Sequence, residues 1–157
     1  MITIDIPGWG NIDIENIVLD LNGTIATDGE IPLELKEKIA SLVEKTNIYI
    51  LTADTQGTAA EEVRDIRVEL IRISEEKSKE AKFEFLKKLN LENTVVIGNG
   101  NNDQLILKEE AALGIVVLGD EGMSISAMKN ADVVVKDISN ALDLFLKPKR
   151  LIATLRE

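Results

Sequence analysis

Apolar residues along this chain fall into short, β-branched runs that alternate with stretches of helical spacing, and each run ends in a polar loop. Ile2, Ile4 and Ile6 alternate with polar residues, the period of a strand with one buried face, and Pro7-Gly8 ends the run. Residues 1–14 are therefore expected to supply an edge strand or hairpin. Residues 17–19 are uniformly apolar, as in a central strand covered on both faces. Pro32 suits a first helical turn, and Leu35, Ile39, Leu42 and Val43 then recur at helical spacing. Residues 47–51 read as a second core strand ended by Thr52, 58–65 as a short helix, and 68–73 as a third strand. Residues 76–89 read as a longer helix with Ala81, Phe85, Leu86 and Leu89 on one stripe. A fourth strand at 94–97 runs into Gly98-Asn99-Gly100-Asn101-Asn102-Asp103, from which a helix extends to about Ala112. Strands at 115–118 and 133–135 and helices at 141–146 and from Pro148 complete the pattern.

Strands alternating with helices predict an α/β, three-layer Rossmann-like fold with a central parallel sheet. The length of 157 residues fits one domain, divided into the edge segment 1–14, a core at 15–146 and a C-terminal helix at 147–157. The polar residues fall in a telling place. Asp20, Thr52 and the 99–103 loop all follow predicted strands, and the carboxyl edge of an open parallel sheet is where its ligand crevice forms.

Composition narrows the chemistry. Hydrophobic residues make up 45% and charged residues 29%, enough apolar material for a real core. The formal charge of -10 repels nucleic-acid phosphates, so no nucleic-acid partner is expected. Lys147, Lys149 and Arg150 read as a solvated surface or a helix closure. There is no Cys and no His, which removes disulfides, thiolate and imidazole metal sites and every His-dependent triad. Catalysis would rest on carboxylates, hydroxyls, amides, lysine and a hard, oxygen-bound cation. The opening MITIDIPGWG lacks the pattern of a signal peptide and no apolar run is long enough for a membrane span, so a cytoplasmic protein is expected. Abundant Ile, Glu and Lys with few Gln suggest a heat-adapted source.

Asp20-Leu21-Asn22-Gly23-Thr24 places a carboxylate directly after an apolar strand, with a glycine that permits a tight turn. Such a turn can aim amide hydrogens at an anion, although an Asp-Asn-Gly turn also forms for local reasons. Thr52-Ala53-Asp54 could bind a phosphate oxygen or cap a helix. Lys82 could neutralise a phosphate, or be one solvated lysine among several. The loop ending in Asp103 could ligate Mg²⁺ or be a capping turn.

Taken in order, Asp-x-Asn-Gly-Thr, Thr52, a lysine and Gly-Asn-Gly-x-Asn-Asp resemble the haloacid-dehalogenase-like (HAD) superfamily. They most resemble the phosphorylation domain of P-type ATPases and the soluble proteins similar to it. Thr52-Ala53-Asp54 followed by Thr58-Ala59, then Asn102-Asp103, Gly114-Ile115 and Ala131-Asp132-Val133-Val134 carry the likeness, across residues 17–138. The resemblance implies a phosphohydrolase in which Asp20 is the nucleophile that forms an aspartyl-phosphate. Asn22, Gly23, Thr52, Ala53 and Lys82 would bind the phosphoryl group, with Lys79 as second choice for the lysine. Mg²⁺ would be held by Asp20, Asn22, Asn99 and Asp103, with Thr24, Asp54 and Asn102 supporting. The substrate would be a small phosphorylated molecule. The segments 23–51 and 61–79 are too short for a cap domain, so the cleft would be open, or closed by a second copy of the chain or a large substrate.

Two positions depart from the family. Asn22 stands where HAD phosphatases carry a second Asp as general acid and base, and an amide cannot shuttle a proton at neutral pH. Asn99 stands where a metal-binding Asp is usual. Slow turnover, confined to good leaving groups, is the expectation, and a binding or regulatory domain without turnover is the alternative. A receiver-type module also uses Asp, Thr, Lys and Mg²⁺, but its Asp follows the third strand. Trp9 reads as packing on the sheet edge or a subunit contact, Met123 and Met128 as core filler, residues 75–79 as a solvated helix start, and Asp120-Glu121-Gly122 as a turn that could gate the site.

Overall fold

A computed structural model describes residues 1–21, 24–26, 30–54, 57–74, 76–100 and 111–157. Strand β1 (Ile2–Ile6) pairs antiparallel with β2 (Gly10–Ile14) as a hairpin separate from the main sheet. The strands β3 (Asn16–Asp20), β4 (Asn47–Thr52), β5 (Glu69–Arg72), β6 (Thr94–Gly98), β7 (Leu113–Val117) and β8 (Val133–Val135) form one parallel sheet in the order β5-β4-β3-β6-β7-β8. The order reverses at β3, which lies between β4 and β6, so the crevice expected of such a sheet opens above its carboxyl end.

Helices cover both faces. The side chains of each strand alternate between them, because successive residues of a strand point to opposite sides. Ile17, Leu19, Ile48, Ile50, Val95, Ile97, Ile115 and Val133 belong to one apolar cluster. It is closed by α1 (Leu33–Leu42), α2 (Thr58–Val63), α5 (Ile138–Leu146), α6 (Lys149–Leu155) and the inner isoleucines of the hairpin. Val18, Leu51, Val96 and Val116 point the other way into a smaller cluster under α3 (Ser78–Leu86) and α4 (Ile125–Lys129). The Tyr49 and Phe85 rings meet edge to face there, 5.3 Å between centroids.

Several elements differ from expectation at their ends. The helix read as 76–89 is regular only over Ser78–Leu86, and α5 starts earlier than residue 141, where Asp137 accepts a hydrogen bond from the Asn140 amide at 2.8 Å. Of the two expectations for residues 1–14 the hairpin holds, with β2 as its second arm; α4, which has five residues and one buried side chain, Ala127, was not expected. Trp9 sits in the hairpin turn and is exposed, so the expected packing on the sheet edge is corrected. Lys147 and Arg150 are engaged with Asp143. The helix expected to follow the 99–103 loop falls on 101–110, outside the described residues.

Candidate active site

Asp20 is the last residue of β3 and shares the parity of Val18, so it belongs to the face that α3 covers. The same geometry on α3 brings its partner. Lys82 lies four residues before the fully buried Leu86, hence on the same helical face. Its ammonium Nζ is 2.9 Å from Asp20 Oδ1, with the Lys82 side chain 4% exposed and that of Asp20 12%. Lys79, one turn earlier, is half-buried; the lysine on Asp20 is Lys82. A buried ammonium needs such a partner, because moving a charge out of water is costly unless it is paired.

The flanking strands end at the same level. Asp20 is in register with Leu51 of β4, and Leu19 with Ile97 of β6. Thr52 and Asn99 therefore stand one strand to either side, just beyond the carboxylate, at the roughly 4.8 Å spacing of neighbouring strands. Thr52 is buried, and its hydroxyl accepts a hydrogen bond from the Asp54 amide at 3.0 Å. Asp54 in turn accepts from the Ala59 amide at 2.8 Å and the Thr58 hydroxyl at 3.1 Å, fixing the start of α2, and half-buried Ala53 lies between. Asp54 lies ahead of the Gly57 N-cap of α2, and its bonds tie the end of β4 to the start of that helix.

After β3 the chain curls over the Leu21 carbonyl, which accepts from the Ile25 and Ala26 amides at 3.0 Å each. That curl buries Thr24, whose hydroxyl donates to Asn99 Oδ1 at 3.3 Å. The other end of the Asn99 amide donates to the Gly122 carbonyl at 3.4 Å, and its backbone carbonyl accepts from the Ser124 amide at 2.8 Å. Asn99 thus ties the loop after β3 to the segment after β7, a tethering role that loop composition alone did not reveal.

Oxygen donors of the kind Mg²⁺ takes are present in Asp20 and Asn99. Among the described residues, however, no three acidic, His or Cys side chains form a cluster. Asn22, Gly23, Asn102 and Asp103, named from the sequence as phosphate, metal or supporting residues, lie outside the described residues. The structure brings together Asp20, Lys82, Thr52, Thr24 and Asn99, with Ala53 and Asp54 behind Thr52. Arranged this way, a carboxylate beside a buried ammonium at a crevice can present an oxygen nucleophile to an anionic group whose charge the ammonium offsets.

A depression of about 490 Å³, lined by Val43, Tyr49, Arg67 and Glu69 among others, is at the opposite, amino edge of the sheet. No titratable pair resembling Asp20 and Lys82 lines it, so its size does not mark it as the reaction centre.

No family model matches the chain. An uncharacterized protein of Methanocaldococcus jannaschii is 51% identical over 81 residues, which cover 49% of this chain and 86% of that protein. A protein of the same organism named soluble P-type ATPase-like phosphatase is 27% identical over 144 residues, 89% of this chain but 52% of that protein. Among solved structures, the 3-deoxy-D-manno-octulosonate 8-phosphate phosphatase of Moraxella catarrhalis, in complex with magnesium, phosphate and the sugar acid, superimposes with a TM-score of 0.71 at 15% identity, covering 91% of this chain and 94% of that one. The cobalt-bound phosphatase of the same name from Haemophilus influenzae gives 0.70 at 14% identity, over 92% and 94%. A protein assigned to the HAD hydrolase family from Streptomyces avermitilis gives 0.67 at 18%, over 87% of each.

Proposed function

Because the chain has the HAD fold and belongs to the same family as the uncharacterized M. jannaschii protein, we propose that it is a metal-dependent phosphohydrolase working through Asp20. The observation that carries this reading is the buried Lys82 ammonium 2.9 Å from Asp20 at the point where the strand order reverses. A purely structural ion pair has no reason to sit at the ligand crevice.

In this reading one Asp20 carboxylate oxygen attacks the phosphorus of a phosphate monoester in line with the ester oxygen. The new oxygen–phosphorus bond forms as the ester bond breaks, and the leaving alkoxide takes a proton from solvent. Water then attacks the aspartyl-phosphate, releases inorganic phosphate and restores the carboxylate. Splitting the transfer this way gives two easier steps. Lys82 offsets charge on the equatorial oxygens and holds Asp20 in one orientation, and positioning of this kind dominates phosphoryl transfer. Thr52, which accepts from the Asp54 amide, donates through its hydroxyl to a phosphoryl oxygen in this reading. A divalent cation, Mg²⁺ as the reading has it, supplies further charge neutralisation when bound, with Asp20, Asn22, Asn99 and Asp103 as its ligands.

Asn22 offers no acid to the leaving group, so turnover is slow for alkyl esters and faster for aryl or acyl phosphates, whose leaving groups need no proton. The test is phosphate release from 4-nitrophenyl phosphate and acetyl phosphate by the purified chain. Release that requires Mg²⁺, stops with EDTA and vanishes in Asp20→Asn is expected; no release across a range of divalent metals overturns the reading.

Asn99, whose side-chain oxygen already accepts from Thr24 and brings no negative charge to a cation, favours a second reading, a phosphate-binding, nucleotide-binding or regulatory domain without turnover. Mg²⁺-dependent capture of beryllofluoride with no phosphate release would select it.

A further inference from the structure

The pairing of β7 with β8 does not stop at the strand ends. The Leu118 amide donates to the Val135 carbonyl at 2.9 Å and the Gly119 amide to the Lys136 carbonyl at 2.8 Å. Gly119, at φ +56°, then turns the chain into Asp120-Glu121, and the Gly122 amide closes the turn on the Gly119 carbonyl at 3.3 Å. A positive φ of this kind suits glycine. Between this turn and the start of α5 lies a recess of about 240 Å³ lined by Thr24, Gly119, Asp120, Glu121, Lys136 and Asp137 among others. Its wall combines the extended pairing of β7 with β8 and the turn at Asp120-Glu121.

Thr24 joins the recess to the candidate active site. It lines the recess and, through its hydroxyl, touches Asn99, which stands one strand away from Asp20 at the same edge. The recess lies at the same carboxyl edge of the sheet as Asp20, at the ends of β7 and β8, two and three strands from β3. Three carboxylates line it against one ammonium. Asp137 is already engaged, accepting from the Asn140 amide at 2.8 Å, whereas Asp120, Glu121 and Lys136 are exposed polar groups on the rim.

We propose that this recess is the leaving-group subsite of the Asp20 centre and that it selects phosphate esters of neutral polyols or amino alcohols over esters bearing a second anion. The proposal rests on the phosphohydrolase reading and adds the substrate class. Hydroxyl or ammonium groups donate to the Asp120 and Glu121 carboxylates, and Lys136 donates to a hydroxyl oxygen. A second carboxylate or phosphate on the substrate meets uncompensated negative charge instead, and such repulsion is how a site rejects a competitor of similar size.

The experiment compares kcat/KM for glycerol phosphate, ethanolamine phosphate and 3-phosphoglycerate, with 4-nitrophenyl phosphate as reference, in the full chain. Two carboxylates a few ångströms from an added anion in a partly solvated recess give a preference of about tenfold against 3-phosphoglycerate. In Asp120→Asn/Glu121→Gln the preference is expected to fall below about threefold, and Lys136→Gln is expected to strengthen it. All three positions are exposed, so these variants leave the core intact. Asp20-dependent turnover of 4-nitrophenyl phosphate with no preference between esters, or with a preference the variants do not change, overturns the subsite and leaves the phosphohydrolase reading standing. No Asp20-dependent turnover of any ester overturns that reading and the subsite with it.

Discussion

Asp143 is contacted by three cationic side chains, one from α1, one from α6 and one from the segment between α5 and α6, and its removal should be felt through the whole fold. It sits buried on α5, with its side chain 9% exposed. Lys38 of α1 approaches Oδ1 at 3.0 Å, while Lys147 and Arg150 approach Oδ2 at 3.1 and 2.8 Å. One group thus links α1, α5 and α6 on the face that carries the larger apolar cluster. Asp143→Asn keeps the shape and deletes the charge. The Lys147 and Arg150 side chains are 56% and 51% exposed, so solvent screens them and each contributes about 0.2–1 kcal/mol. The Lys38 side chain is only 18% exposed; its ammonium donates to Ser139 and leaves Asp143 Oδ1 without a hydrogen bond, so the contact counts as an ion pair of about 1–2 kcal/mol. The expected loss is roughly 1.5–4 kcal/mol, or a fall in Tm of about 3–16 °C for a domain of this size, read by urea and thermal unfolding. Burial alone would raise the Asp143 pKa, but the Lys38 and Lys147 ammoniums beside it hold it below the usual carboxylate value of 3.8. Its contribution is therefore fully present above that value and disappears as pH falls through the lower folded value. Burial opposes the charge on Lys38, yet Asp143 and Glu34 lift its pKa above 10.5. That contribution is fully present below 10.5 and is lost as pH rises through the higher folded value. The stability gap between wild type and Asp143→Asn should be flat across the neutral range and close at both extremes. A gap below about 0.5 kcal/mol at pH 7, or one that widens in acid, refutes this account.

Three further outcomes follow from the same geometry. Asn22→Asp restores a proton shuttle and should raise the turnover of alkyl phosphates at least tenfold, a modest share of the roughly 10²–10⁴ such catalysis can contribute; equal or lower turnover in a folded variant counts against the role given to that position. Leu86→Ala, at a fully buried site beneath α3, should cost about 2–5 kcal/mol by chemical denaturation, and a loss under 1 kcal/mol would mean that the smaller cluster is loosely packed. In a double-mutant cycle, Lys82→Met alone should destabilise more than Lys82→Met combined with Asp20→Asn, because the single change removes the ammonium 2.9 Å from a carboxylate that keeps its charge and is 12% exposed; additive effects would show that the two groups do not interact.

How much of this was legible in sequence depended on what each residue signals by itself. The sheet was legible because β3, β4, β6 and β7 are apolar runs bounded by polar turns, and runs buried on both faces have few other uses. Asp20 and Thr52 were legible because each ends such a run. Lys82 was harder, since Lys77, Lys79, Lys87 and Lys88 surround it. Its signal is position: four residues before Leu86, it takes a place on the stripe that buries α3. The hairpin was half legible, because β1 alternates from its first isoleucine while β2 begins with Gly10-Asn11. The roles of Asn99 and Thr24 were not legible as found, since the hydrogen bond between them joins residues 75 positions apart, and only the register of β3 with β6 brings them together. The Asp143 cluster escaped for the same reason: Lys38 and Asp143 are an ordinary lysine and aspartate until α1 and α5 pack.

The placement of Lys82 bears on the choice between a structural and a functional pair. A stripe position on α3 that faces a cluster of Val18, Leu51, Val96 and Val116 would be filled most favourably by leucine or methionine. A buried ion pair rarely exceeds the stability of an apolar pair of the same volume, since the lost hydration of both charges must be recovered by their attraction. Had the pair served stability, the sheet interior or the helix–helix seam, where Lys38 meets Asp143, would have been the place for it. Instead Asp20 sits at the carboxyl edge of the sheet, where the ligand crevice of an open parallel sheet forms, flanked by Thr52 and Asn99 at the same level. Keeping a charged pair there lowers what the fold could gain from that position, and such local losses concentrate where a protein does its chemistry. The same reasoning explains why Asn99 is tethered on both sides. If the loops after β3 and β7 were free to drift, the ammonium and carboxylate would hold each other but not a third group, and pre-organised positioning is what a phosphoryl group requires.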